Sequence, residues 1–241
     1  MPAARAVPRY RQLKQAIAGL LRDGKWKHGQ AIPSEPQLAA RFAVSIGTVR
    51  KAIDGLVDEG ILVREQGRGT FVRSHTRDTM LEAFFNFVDA RGVKELPQVE
   101  LLSFRRGRCD PASAARLGIR PGSAVLRIRD VLRLRGVPTL LDDIRMPAAL
   151  VPGLTAQQMS ERHWTIYALL QSRYGLTVVR VEETLEAVRA DAEAARHLQV
   201  APGTPLLRIA RTAFAYGGRA VDTRVRWVRT GAWKYRSVLG R

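Results

Sequence analysis

Between Arg9 and Arg22, apolar residues recur at Leu13, Ala16, Ile17, Leu20 and Leu21, the spacing that lays one side of a helix against a core. Gly24 stands where such a helix stops. A second, shorter pattern of Leu38, Ala39 and Phe42 follows Ser34, whose hydroxyl suits an N-cap. Ala43-Val44 then makes a turn and Ser45 caps a third segment. On that segment Val49, Ala52, Ile53 and Leu56 gather on one side, and Gly47, Thr48, Arg50, Lys51 and Asp54 on the other. After Gly60, residues 61–63 and 70–72 read as paired strands with Gln66-Gly67-Arg68-Gly69 at the tip. Two helices joined by a tight turn and followed by a basic hairpin have the layout of a winged helix-turn-helix.

The pattern changes beyond Ser74. Residues 74–80 are short, polar and read as a linker. Leu81, Phe84, Phe85 and Val88 share a helical face, with Gly92 ending that helix. Strand-like runs follow at 98–106, 124–135, 139–147, 176–189, 205–216 and 219–230, with helices at 111–117, 164–174 and 191–198. Long strands with few crossover helices indicate an antiparallel α+β sheet and not a parallel nucleotide-binding fold. An internal repeat supports this. Leu117-x-Ile119-x-Pro121-Gly122-Ser123 and the strand after it recur 81 residues later as Leu198-x-Val200-x-Pro202-Gly203-Thr204. Duplicated halves suit either a ligand pocket between them or a pseudo-symmetric core.

The expected fold class is therefore α+β in two domains: a winged helix-turn-helix at 1–73, the linker 74–80, and an antiparallel α+β domain at 81–241. Composition narrows the partners. A formal charge of +18 over 241 residues favours polyanions, nucleic acid before membrane. The excess is spread over both halves, so charge alone does not locate a DNA site. No apolar run approaches a membrane span, and the first ten residues lack the apolar core of a signal peptide. One cysteine, Cys109, allows no internal disulfide and fits a reducing cytoplasm. With four scattered histidines it makes no zinc spacing, and neither a metal nor a cofactor is expected.

The outward side of the third helix carries the chemistry. Gly47 lets backbone approach a groove, Thr48 suits a phosphate, and Arg50 matches the O6 and N7 of guanine. Arg68 at the hairpin tip reaches a minor groove or a phosphate. This segment resembles the DNA-binding domain of the GntR family of bacterial transcription regulators. The match rests on Pro33-Ser34-Glu35, Val44-Ser45, Thr48-Val49-Arg50-Lys51-Ala52, Gly60, Gly67 through Val72, and Tyr10 with Gln12-Leu13. Pro36 and Ile46 depart from it, each standing where relatives often place an arginine. The resemblance implies DNA contacts from Tyr10, Ser34, Glu35, Ser45, Gly47, Thr48, Arg50, Lys51, Gln66, Gly67, Arg68, Gly69 and Thr70.

Residues 80–238 resemble the UTRA domain, the ligand-sensing module of the HutC subgroup, which shares the chorismate lyase fold. The carriers are the two Pro-Gly-Ser/Thr turns, Gly136-Val137-Pro138, Thr165-Ile166-Tyr167 and the segment from Asp222 to Trp233. The resemblance implies effector contacts from Asp130, Asp142, Thr165, Arg211, Asp222 and Trp233. Asp130 and Leu132 stand where sugar-phosphate sensors carry arginines, which argues against a phosphosugar. Other readings stay open: Asp142 and Asp143 also suit surface arginines, and Trp233 also suits core packing. Arg224, Arg226 and Arg229 read as a stripe for an organic acid, for solvent or for a dimer. The expected function is a sequence-specific, effector-modulated transcriptional repressor and not an enzyme. Its expected partners are double-stranded DNA with a palindromic operator, a second copy of the chain, and an organic acid or amino-acid catabolite. The competing classes are an enzyme on the chorismate lyase fold and a nonspecific architectural DNA protein.

Overall fold

A computed structural model describes residues 7–27, 29–73, 85–162 and 165–238. The expected linker 74–80, the first residues (81–84) of the expected helix after it, and His28, His163 and Trp164 lie outside the described residues. The chain divides near residue 75 into two compact units.

In the amino-terminal unit α1 (Arg9–Arg22), α2 (Glu35–Phe42) and α3 (Ile46–Asp58) form where the apolar spacing places them. Both α1 and α2 pack on α3. Leu13, Ile17, Leu38, Val49, Ile53 and Leu56 are buried together with the hairpin's Leu62 and Val72. Strands β1 (Leu62–Glu65) and β2 (Gly69–Val72) pair antiparallel from Leu62↔Val72 to Glu65↔Gly69. The turn between α2 and α3 is closed by Ala43 in the left-handed region (φ 51°, ψ 49°), a conformation a side chain resists.

The carboxy-terminal unit is built on six antiparallel strands. They are β4 (Gln98–Arg108), β5 (Ala124–Leu134), β6 (Val137–Pro147), β7 (Val178–Arg189), β8 (Pro205–Ala215) and β9 (Ala220–Val228). Their order across the sheet is β4-β5-β6-β9-β8-β7. The sequence repeat is a structural repeat. In one copy Cys109 and Ser123 pair across the turn, Asp110 caps α4 (Pro111–Leu117), and Gly122 N–H reaches the Cys109 carbonyl at 2.8 Å. In the other Ala190 pairs with Thr204, Asp191 caps α7 (Ala192–Leu198), and Gly203 N–H reaches the Ala190 carbonyl at 2.8 Å.

Alternation along the strands gives the sheet two faces. Val131, Leu141 and Leu206 pack with Ala194, Ala195 and Leu198 of α7 on one face. On the other, Ile128, Ile144, Met146 and Ala213 meet Ile166, Tyr167 and Leu170 of α6 (Ile166–Tyr174), together with Met159 of α5 (Ala156–Ser160). Farther along that face Leu132, Leu134, Leu140, Ile209 and Val228 form a second apolar cluster.

One expectation needs correction. The helix expected through Phe85 and Val88 to Gly92 is not formed in the described residues. Phe87–Val88 make a short strand, β3, paired with β10 (Lys234–Tyr235). Phe85 and Phe87 are both buried, with ring centroids 5.3 Å apart, and the Phe87 ring packs edge-on against Tyr235. Asp89 accepts the N–H groups of Arg91 and Val93, holding a turn where a helical end was expected. Helix α5 was not foreseen; its five residues are too few to show a period.

Replacing Ala43 with glycine should raise the stability of the amino-terminal unit by up to about 1 kcal/mol. That is the relief of left-handed strain less the extra unfolded-state entropy of glycine. A lower urea midpoint for Ala43→Gly would contradict this account of the turn.

Candidate nucleic-acid interface and ligand cavity

The start of α3 is held from within. Ser45 Oγ accepts the Thr48 N–H at 3.2 Å and shares a 2.9 Å hydrogen bond with Thr48 Oγ1, so both hydroxyls tie the first turn. Gly47, Arg50 and Lys51 are exposed on the side away from the core. A side chain at Gly47 would meet only Ser45 Oγ, at 4.0 Å. Packing does not demand this glycine, which leaves bare backbone at the helix surface.

Arg50 is oriented by Glu35, whose carboxylate accepts Nε at 3.0 Å and lies 2.9 Å from Nη2. Glu35 also holds Arg64 at 3.4 Å, and Arg64 reaches Asp54 at 2.7 Å. This geometry fixes the Arg50 side chain against the start of α2. Ser34 opens α2, its backbone N–H donating to Gln37 Oε1 at 2.9 Å. Tyr10 lies under the Lys51 ammonium, 4.6 Å from the ring centre. In the hairpin, Gly67 (φ 72°) and Gly69 (φ 122°) take conformations closed to side chains, between exposed Gln66 and Arg68. Arg68 pairs with Glu65 and lies 5.6 Å over the Phe71 ring. Thr70 contributes its carbonyl to the Ile32 N–H and is half-buried. Arg64 was missed because only tertiary packing brings it beside Glu35.

In the carboxy-terminal unit a cavity of about 470 Å³ opens between the two apolar clusters on one face of the sheet. Its walls include Asp130, Asp142, Thr165 and Arg211, four of the six expected effector residues. Asp222 and Trp233 are not in the lining. Asp222 is fully buried and bonded to Arg224 Nε at 3.0 Å. Trp233 packs with Phe85, Leu132 and Leu140, and the Arg135 guanidinium lies 5.2 Å from its ring centre. The aromatic walls are instead Phe85 and Tyr167.

Arg162, Arg224 and Arg226 also line the cavity. Arg224 and Arg226 share the face that their alternation implied; Arg229 lies past the end of β9 and donates its N–H to Thr139. Nothing in the sequence marks Arg162, which comes from the segment between α5 and α6. Each buried cation has an acid. Arg162 meets Asp130 at 2.7 Å and Arg211 meets Glu183 at 2.6 Å. Arg226 is bidentate on Asp142, both contacts at 2.6 Å, and Arg224 bridges Asp222 and Asp142. Asp143, by contrast, pairs with the partly exposed Arg129 and Arg145. Cys109 is buried in an apolar cluster with Ala114, Leu117 and Val125.

Burial alone would raise the pKa of Asp142, but Arg226, Arg224 and Arg211 outweigh it and hold the carboxyl low. Glu183 is likewise held low against burial, by Arg211 and the Tyr235 hydroxyl. At Asp130 burial wins over Arg162 and the pKa rises. Burial pushes the Tyr167 phenol up to about 12. Thr165 Oγ1 caps α6 by accepting the Ala168 N–H at 3.3 Å. Among the described residues no cluster of His, Cys, Asp and Glu could hold a metal ion. No described helix is long and apolar enough to cross a membrane.

Asp142→Asn should cost about 3–5 kcal/mol in denaturant unfolding, because it strands buried guanidinia. Asp142 and Glu183 have folded pKa values below their unfolded ones, so their stabilisation is present at neutral pH. It is lost as pH falls through the carboxylate range, below about 4. Melting temperature should therefore drop more steeply with acid in the parent chain than in Asp142→Asn; parallel acid limbs would contradict the assignment.

The model of the UTRA domain matches residues 92–233, and that of the bacterial regulatory proteins of the gntR family matches residues 9–72. The chain is 28% identical over 221 residues to the HTH-type transcriptional repressor NagR of Bacillus subtilis, covering 90% of this chain and 88% of that one. It is 32% identical over 228 residues to the histidine utilization repressor of Pseudomonas putida, covering 93% and 89%. The ligand-binding domain of a Bordetella bronchiseptica chain assigned to the GntR-family regulators superposes with a TM-score of 0.62 at 32% identity, covering 65% of this chain and 98% of that one. The winged helix-turn-helix, the six-stranded antiparallel domain and these matches agree: the chain belongs to the GntR family of bacterial transcription regulators, in its HutC subgroup, with a UTRA effector-binding domain.

Proposed function

We propose that this regulator is a homodimeric repressor, acting in the cytoplasm, that holds a palindromic operator until a small effector fills the cavity. The observation that carries the reading is the exposed start of α3, where Arg50 is aimed by Glu35 beside the bare backbone of Gly47. Such a helix start suits a major groove, with Arg50 on guanine, Lys51 and Tyr10 on backbone, and Arg68 of the hairpin on the flanking groove or phosphates. The DNA-binding domain is assigned to residues 1–73, the linker to 74–80 and the effector domain to 81–241.

On this reading the cavity is the effector-binding site. Asp130, Asp142, Thr165 and Arg211 are the assigned contacts, joined by Arg162, Arg224 and Arg226. A relative named as a histidine utilization repressor favours an organic acid or amino-acid catabolite as effector. Ligand changes operator affinity only by binding the DNA-competent and incompetent arrangements unequally.

Footprinting should recover an inverted repeat whose half-sites lie about one helical turn apart. Arg50→Ala should cost about 1–3 kcal/mol on that operator and much less on random DNA. Equal losses on both would reduce Arg50 to a phosphate contact. Leu96→Trp, which fills cavity space, should keep operator affinity and lose the response to effector; an unchanged response places the effector elsewhere.

A further inference from the structure

We propose that the cavity selects a zwitterion: a small molecule whose carboxylate seats between Arg224 and the start of α6 while its protonated nitrogen meets Asp130. This rests on the effector reading above and specifies its chemistry. Charge balance comes first. The four buried guanidinia in the wall, Arg162, Arg211, Arg224 and Arg226, are each paired with Asp130, Glu183, Asp222 or Asp142. A wall with matched charges offers a doubly charged phosphate no surplus cation, and β5 supplies Asp130 and Leu132 here.

The wall is also incompletely hydrogen-bonded, in both senses. Asp130 Oδ1, an acceptor, and Arg224 Nη2, a donor, are buried without a hydrogen-bond partner. Each such group is costly to leave unpaired. An anion alone answers the donor and leaves the acceptor stranded; a cation alone does the reverse. Burial lifts the Asp130 pKa despite Arg162, so that carboxylate is under-compensated and gains from a second cation.

Position fits as well. The Arg224 guanidinium lies 5.0 Å over the ring of Tyr167, the second residue of nine-residue α6, and the helix's cap Thr165 and first residue Ile166 line the same cavity, where the helix dipole favours an anion. Asp130 faces Asp142 across β5 and β6, and Asp142 Oδ2 is 3.3 Å from Arg224 Nη1. The two poles therefore flank Asp142. At the backbone they are two strand spacings apart and two residues out of register, about 12 Å, and inward-reaching side chains shorten the gap to small-molecule scale. Ligand class is thus set by Asp130, with Arg162 as its positioning residue.

The test uses the full chain on its footprinted operator. Calorimetry and operator release are measured with the proteinogenic amino acids, their deaminated carboxylates, their decarboxylated amines and glucosamine 6-phosphate. At least one zwitterion should bind, and bind tenfold or more tightly than its single-pole analogues and the phosphosugar. Asp130→Asn should weaken that zwitterion at least tenfold and leave the carboxylate analogue unchanged, while Asp130→Glu restores binding in part. Because Asp130→Asn strands Arg162, the pair Asp130→Asn with Arg162→Gln gives the same comparison in a neutral wall. A phosphosugar or a lone carboxylate that binds best, or no zwitterion binding at all, overturns the charge assignment. If a zwitterion binds Leu96→Trp unchanged, the cavity reading itself fails.

A separate observation concerns α3. Ile46 is 45% exposed at its first position, four residues before Arg50 and so on the same side of the helix. We infer that Ile46 reads a thymine C5-methyl next to the base held by Arg50, an inference that rests on the DNA-binding reading. Replacing operator thymines singly by deoxyuridine should weaken the parent chain about fourfold at one position per half-site. Ile46→Ala should bind the thymine and deoxyuridine operators alike. Parent binding that ignores every such replacement, or a loss that persists in Ile46→Ala, overturns it.

Discussion

Removing a guanidinium from water is expensive unless a carboxylate meets it with good geometry, and among the described residues four are buried around one cavity. That requirement disciplines the carboxy-terminal unit. Asp142 on β6 must stand opposite Arg226 on β9, as the register places it, and Arg211 on β8 must stand opposite Glu183 on β7. A slip of one residue would turn each of these side chains to the other face and leave charges buried alone. The apolar clusters at either end of the belt supply the burial that makes such a slip costly.

The same logic, at lower stakes, operates in the amino-terminal unit. Glu35 and Arg50 are joined in a partly exposed pair, which contributes little to stability. Its effect is geometric. A long, flexible side chain is presented from α3 in one orientation, with part of the ordering cost met before any partner arrives. Ser45 and Thr48 do the same for the helix start, since their hydroxyls satisfy each other and the backbone. An acidic residue beside exposed cations thus orients one of them.

The duplication of Pro-Gly turn and strand explains why the sheet supports a polar cavity. The two copies place β5 and β8 in equivalent positions on either side of the central β6–β9 pair. Asp130 and Arg211, 81 residues apart, then face the same cavity with opposite charge. Divergence at one equivalent position gives the two halves of the cavity wall different charges.

Local periodicity was enough to locate α1 to α3, the hairpin and six long strands, because each element carries its apolar spacing within its own residues. It failed at residues 85–92, where the Phe85 and Phe87 environment is supplied by Leu132, Leu140 and Trp233 from distant segments. The candidate site divided along the same line. The exposed placement of Arg50, Gly47 and the glycines of the hairpin was legible because it follows from position on one short element. Arg64 and Arg162 were not, since an arginine in a basic chain acquires meaning only through the acid that packing sets beside it. For the same reason Trp233 passed from cavity wall to core. Sequence alone determined the longer elements, the repeat and the family of the chain; tertiary structure decided the short β3–β10 pair and which charges are buried together, because pairing depends on distances between strands that no local pattern encodes.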